Sequence, residues 1–187
     1  KRTTKENKYP HPDLVFKNVR VMWARTHPNN PYPAGKITKK NGSTARVAER
    51  WSFDVILNDA QAEVAKAKQA YVKTTTDKDT GEEYHFLNFG KNTKNFEGKE
   101  NKPFFIVVGE TGDVLDVEMA NGSIMDVEIY LSEDINESSG ARKARLKRGV
   151  VTTLIPYEAN GAGSSAGVSV DLPDSTAAAP IPEAPKK

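Results

Sequence analysis

A chain of 187 residues with 37% apolar and 28% charged side chains is long enough to bury one core and polar enough to stay in water. Its net charge of +2 is only a slight excess of base, and without cysteine it excludes disulfides, cysteine-ligated zinc and thiol catalysis together. It has no apolar run near the roughly 18 residues of a membrane span and no signal-peptide pattern, so the expectation is a soluble, intracellular protein.

Residues 1–12 are polar and carry Pro10 and Pro12, the composition of an N-terminal arm. From Asp13 to Arg25 the pattern becomes strand-like: Val15, Val19, Val21 and Trp23 fall at period two, with Phe16 and Met22 on the opposite face. Residues 26–43, THPNNPYPAGKITKKNGS, hold three prolines and two glycines and read as one long loop, a length that is usually functional or disordered. Residues 44–57, TARVAERWSFDVIL, are the clearest strand. Val47, Trp51, Phe53, Val55 and Leu57 point one way, and Arg46, Arg50, Ser52 and Asp54 the other.

A helix is predicted from Asp59 to Val72, with Asn58 or Asp59 as N-cap and Val64, Ala67 and Tyr71 on its buried face. Thr74–Gly81 is turn chemistry, Tyr84–Phe89 a short aromatic strand, residues 90–102 a lysine-bearing loop and Phe104–Val108 a buried strand. Val114–Met119 and Ile124–Leu131 read as a hairpin turning at Asn121-Gly122. Met125, Val127, Ile129 and Leu131 should face inward, and Ile124, Asp126, Glu128 and Tyr130 outward. A basic segment then leads into a last strand, Val150–Ile155. Past Pro156 the Gly, Ser, Ala and Pro content cannot bury enough surface to order itself. About six strands and one helix, with no βαβ alternation, predict a mostly β fold and a small antiparallel barrel.

The chemistry narrows by elimination. His11, His27 and His85 have no ligand spacing, and nucleophile-elbow, phosphate-loop and dinucleotide motifs are absent, so no metal and no cofactor are expected. DKDTGEE, residues 77–83, has its glycine one position early for a calcium loop and reads as a solvated turn. Asp116, Glu118, Asp126 and Glu128 could converge across adjacent strands as a nuclease metal site, although alternation alone produces an acidic sheet face.

Single-strand binding requires rings on which bases stack, beside cations that follow the backbone. Phe96, in NTKNFEGK, has no apolar neighbour within four residues and should be exposed among Lys91, Lys94 and Lys99, as either a stacking ring or a loop anchor. Tyr32, between Pro31 and Pro33, is either a stacking ring or a loop anchor. Lys36, Lys39 and Lys40 form one basic cluster beside Arg46 and Arg50. Five of the eight residues from Ala141 to Arg148 are basic, with Arg142, Lys143, Arg145 and Lys147 among them. Such a run repels itself unless an anion lies opposite.

Residues 120–158, ANGSIMDVEIYLSEDINESSGARKARLKRGVVTTLIPYE, resemble the C-terminal half of phage-encoded single-stranded-DNA-binding proteins with an OB fold. A small-residue turn precedes a strand, a variable hairpin follows, and a basic stretch, a glycine and a strand ending near a Tyr close the pattern. The first half is similar in layout: FKNVRVMWA, a loop, RWSFDVIL and a helix. The resemblance covers residues 13–158. It implies a five-stranded OB barrel with one inserted helix, no catalysis, and binding of single-stranded DNA in phage replication, recombination and repair. The long loops at residues 26–43 and 90–102 would then flank the groove. It also implies the cytoplasm of the infected bacterium, phage or host replication proteins as partners, and room for a homodimer. The family's acidic tail is not matched: residues 159–187 carry only Asp171, Asp174 and Glu183 and end in Lys186-Lys187. A metal-dependent nuclease and a virion structural module are the competing expectations.

Overall fold

The computed structural model describes residues 11–158. The N-terminal arm, apart from its last two positions, and the tail expected over residues 159–187 lie outside the described residues. The elements are β1 (Leu14–Arg25), β2 (Gly35–Thr38), β3 (Thr44–Val47), β4 (Arg50–Leu57), α1 (Asp59–Ala67), β5 (Lys73–Thr76), β6 (Glu83–Asn92), β7 (Ile106–Val108), β8 (Ile124–Asn136) and β9 (Ala141–Thr153). Seven strands form one sheet in the order β5-β6-β4-β1-β8-β9-β7, and β2 pairs with β3 as a separate hairpin. Every ladder is antiparallel except that of β7 with β9.

The mostly β fold with one helix is as expected; the closed five-stranded barrel is not what forms. The sheet is open and mixed, with β5 and β7 at its edges, yet it curls until Cα atoms of β6 and β9 come within 8 Å of one another. No ladder joins β6 to β9 among the described residues. Where they meet, the chain after α1 bridges the gap: Arg142 N donates to Gln69 O (2.7 Å) and Tyr71 N to Arg142 O (2.9 Å). One end of this seam is therefore stitched and the other is left open.

The core follows period-two patterning where the strands are regular. Trp51, Phe53, Val55 and Leu57 of β4 are buried, as are Met125, Val127, Ile129 and Leu131 of β8. Each such side chain contributes about 1.5–3 kcal/mol by leaving water. β1 departs from the expected pattern. Its register on β8 steps from Phe16↔Val127 to Val19↔Met125, so a bulge with Asn18 at φ 56° inserts one residue. Leu14 and Phe16 are therefore buried with Val19 and Val21, while Val15 is exposed. A second bulge, at Met22 to Arg25, holds Trp23 at φ 54°, a left-handed conformation that a bulky residue adopts only under constraint.

Other boundaries move for identifiable reasons. α1 starts where expected, at an Asn58–Gln61 capping box, but ends by Ala67 because Gln69 turns left-handed at φ 62° and carries the chain to β9. Its buried residues are Ala62 and Ala65, which permit close approach to the sheet, whereas Val64 and Tyr71 are exposed. The loop expected at residues 26–43 contains β2, and the expected 44–57 strand divides into β3 and β4. Part of the expected 74–81 turn is the threonine-rich strand β5, and the basic segment is absorbed into β9. Val114–Met119 forms no strand. The Asn121-Gly122 turn instead packs on β1, with Gly122 N donating to Val21 O (2.9 Å) and Val21 N to Ser123 O (2.8 Å).

Candidate nucleic-acid interface

The open end of the seam between β6 and β9 is a cleft of about 400 Å³. Its floor is apolar: Phe89 of β6, Leu146 of β9, and Phe104, whose ring stands edge-on to the core ring of Phe53 at 5.2 Å. Phe105, beside it, is exposed, and its carbonyl accepts from Gly149 N (2.9 Å). The walls carry Lys91, Lys102, Arg145 and Lys147, and no carboxylate lines the cleft among the described residues. Lys91 sits at the last inward position of β6, and burial first, then the nearby Lys102, hold its ammonium below the ordinary lysine range. Lys147 Nζ lies 5.5 Å from the centroid of the Tyr130 ring, a cation–π contact that fixes both side chains on the wall.

Residues 93–101 form a strap that runs between the cleft residues Lys91 and Lys102. Asn101 closes its base by donating N–H to Thr93 O (2.8 Å) and Nδ2–H to Asn92 O (2.9 Å), which brings Lys102 opposite Lys91. At the tip, Asn95 Oδ1 accepts from Glu97 N and Lys99 N, each at 2.9 Å, and Gly98 takes the left-handed residue of the turn. Phe96 projects from that turn with 99% of its surface exposed. Lys99 is paired with Glu97 at 3.0 Å, and Lys94 forms a backbone bridge with Glu100.

The strap shares a footing with the β2–β3 hairpin, because Thr93 donates N–H to Glu49 O (3.0 Å) and Oγ1–H to Glu49 Oε1 (2.8 Å). The hairpin exposes Lys36 opposite Arg46, with Lys39 and Lys40 at its turn, and no carboxylate occurs between residue 26 and Glu49. Tyr32 is held at the hairpin base. Its main chain pairs with Arg50, its hydroxyl donates to Trp23 O (2.9 Å), and the guanidinium carbons of Arg25 and Arg50 lie 4.6 and 5.4 Å from its ring centroid. Burial raises that hydroxyl's pKa, so Tyr32 is an anchor with both guanidinium groups already on its ring.

Of the residues singled out from sequence, Lys91, Arg145 and Lys147 converge on the cleft; Phe96, Lys94 and Lys99 occupy the strap; Lys36, Lys39, Lys40 and Arg46 occupy the hairpin. Arg50 belongs to the Tyr32 anchor, and Arg142 and Lys143 lie at the stitched end of the seam. Sequence reasoning missed Lys102, Phe105 and Tyr130. Tyr130 faces Arg145 in the β8–β9 register, so pairing the two strands on paper would have found it. The acids do not converge. Glu118 is buried, its oxygens accepting from Thr26 N, Thr26 Oγ1 and His27 N at 2.8–3.0 Å, and Asp126 accepts from Asn18 N at 2.9 Å. Among the described residues no three His, Asp or Glu side chains group as a metal site, and no helix is long and apolar enough to cross a membrane.

No protein-family model matches the chain, and no curated protein matches it. Among solved structures, it is similar to the single-stranded DNA-binding protein of bacteriophage T7, gp2.5, at 16% identity and a TM-score of 0.44, over 82% of this chain and 93% of that one. It is also similar to the single-stranded DNA-binding protein of bacteriophage Enc34 in complex with ssDNA, at 12% identity and a TM-score of 0.45, over 77% of this chain and 88% of that one. Both of these solved structures are of phage single-stranded DNA-binding proteins.

Proposed function

We propose that this chain binds single-stranded DNA without catalysis, holding the strand in the open seam between β6 and β9. The observation that carries this reading is the composition of the cleft: four cations, an apolar floor edged by the exposed ring of Phe105, and no lining carboxylate. Phosphates follow Lys91, Lys102, Arg145 and Lys147, while bases meet Phe105, the apolar floor and the projecting Phe96. Single strands offer base faces to such a surface and duplexes hide them. The contacts are to backbone charge and ring faces, so sequence preference is weak. The basic β2–β3 hairpin extends the field that draws the strand in.

In a phage-infected bacterium this activity would coat and protect single strands during replication, recombination and repair. The test is fluorescence titration with oligo-dT at a series of salt concentrations. If the four cleft cations each neutralise one phosphate, log affinity falls against log salt with a slope of about −2.8. Absent binding at low salt, or affinity flat against salt, overturns the reading. Labelled DNA should also stay intact with magnesium present; degradation lost on Asp126→Ala would favour a nuclease.

A further inference from the structure

The seam continues past the cleft toward its stitched end, where it holds a second depression of about 290 Å³. The main chain at Gln69–Tyr71 is bonded to β9 at Arg142, so the Tyr71 ring, 45% exposed, stands on a fixed backbone. Lys73 Nζ lies 5.8 Å from the centroid of that ring. Lys143 lines the same depression from β9, with Asn88 and the hydroxyl-bearing Ser138 and Ser139. None of its lining residues is acidic among the described residues. Asp54 lies nearby on β4, accepts from Asn88 Nδ2 at 2.7 Å, and is itself desolvated, which raises its pKa. The ammonium of Lys143 is held below the ordinary range by burial first, then by Arg145 and Lys73. Arg145 stands two residues along β9 from Lys143, about 7 Å away by strand geometry, and lines the cleft. The two hollows are thus joined by one line of cations.

We propose that Tyr71, Lys73 and Lys143 form a second subsite for the same DNA strand, with a base stacked on Tyr71 and a phosphate between the two lysines. The inference rests on reading the cleft as a single-stranded-DNA site, and it assigns direction: the strand runs along β9 from the open to the stitched end of the seam. The bound length then has two stages. Short oligonucleotides occupy the cleft alone, and longer ones reach Tyr71.

A ladder of oligo-dT from about 4 to about 16 nucleotides, the range of site sizes for one such domain, tests this on the full chain. Tyr71→Ala/Lys73→Ala is compared with wild type, and Tyr71→Phe/Lys73→Gln, which preserves packing, guards against loss of the fold. In Tyr71→Ala/Lys73→Ala the shortest oligomers bind as in wild type, and the longest lose about tenfold, the range of one stacked base and one phosphate contact. The salt slope for the long oligomers becomes shallower by about 0.7. Tyr71→Phe/Lys73→Gln retains the stacking and loses the same slope increment. Equal loss at every length, or none at any length, overturns the second subsite while the cleft reading stands. Failure of wild type to bind any oligomer overturns the cleft reading and this subsite with it.

Discussion

Phe96 and Tyr32 are both solitary rings in polar loops of the sequence, and they meet opposite environments. Two guanidinium groups and two main-chain bonds hold Tyr32, whereas Phe96 touches almost nothing and is 99% exposed. A ring that contributes nothing to folding can be removed without cost to it. Phe96→Ala should leave the melting temperature unchanged and weaken oligo-dT binding by about 1–3 kcal/mol, the range for one stacked base, as read by thermal denaturation and titration. Lys91 carries the converse tension. Burial and Lys102 depress its pKa, so its protonated form costs the fold stability that a neutral side chain would return. Lys91→Met should raise the melting temperature and lower affinity. If the strand needs the ammonium, wild-type affinity should also begin to fall at a pH below that at which an ordinary lysine titrates. Lys91→Arg, which keeps its charge, should flatten that decline in titrations against pH.

Among the elements, the three-residue β7 matters most to the cleft, since it follows directly on Phe104 of the floor and the exposed Phe105 beside it. It lies parallel to β9 at Ile106↔Gly149, and a Cβ built at Gly149 would come 2.3 Å from Met125 Cε and 3.4 Å from Ile106 Cγ1. A side chain there would collide first with the terminal methyl of the buried Met125, while Ile106 of β7 stands at ordinary van der Waals distance. Gly149→Val should cost about 1–3 kcal/mol of stability by overpacking and should also weaken DNA binding by displacing Phe105, read from denaturant unfolding and titration at temperatures where the variant is folded. Long regular strands were legible in the sequence because β4 alternates up to Val55 and β8 up to Ser132. β1 was legible as a strand but not in its facing, because the bulges at Asn18 and Trp23 reset alternation through backbone angles that no apolar pattern reveals. The short strands β2 and β5 were missed because, Ile37 apart, they consist of glycine, lysine and threonine beside turn residues, and only pairing with a neighbour defines them.

For the whole molecule, sorting of charge outweighs its sum. A net charge of +2 spread evenly would give a salt slope of only about −1.4, half of what the four cleft cations predict, so the measured slope distinguishes a gathered site from a diffuse attraction. Lys91, Arg145 and Lys147 could be picked out as basic residues from the sequence, but not as neighbours. Lys91 and Arg145 are 54 positions apart, and only the curl of the sheet brings β6 to β9. The left-handed Trp23 has an optical consequence. Of the two tryptophans, Trp51 is 5% exposed in the core, while Trp23 borders a hollow of about 210 Å³ shared with Asn30 and Tyr157 at the base of the basic hairpin. The two indoles sit in different polarities and should emit at different wavelengths. Trp51→Phe would leave Trp23 as the sole emitter, an intrinsic reporter placed beside the hairpin without any attached dye.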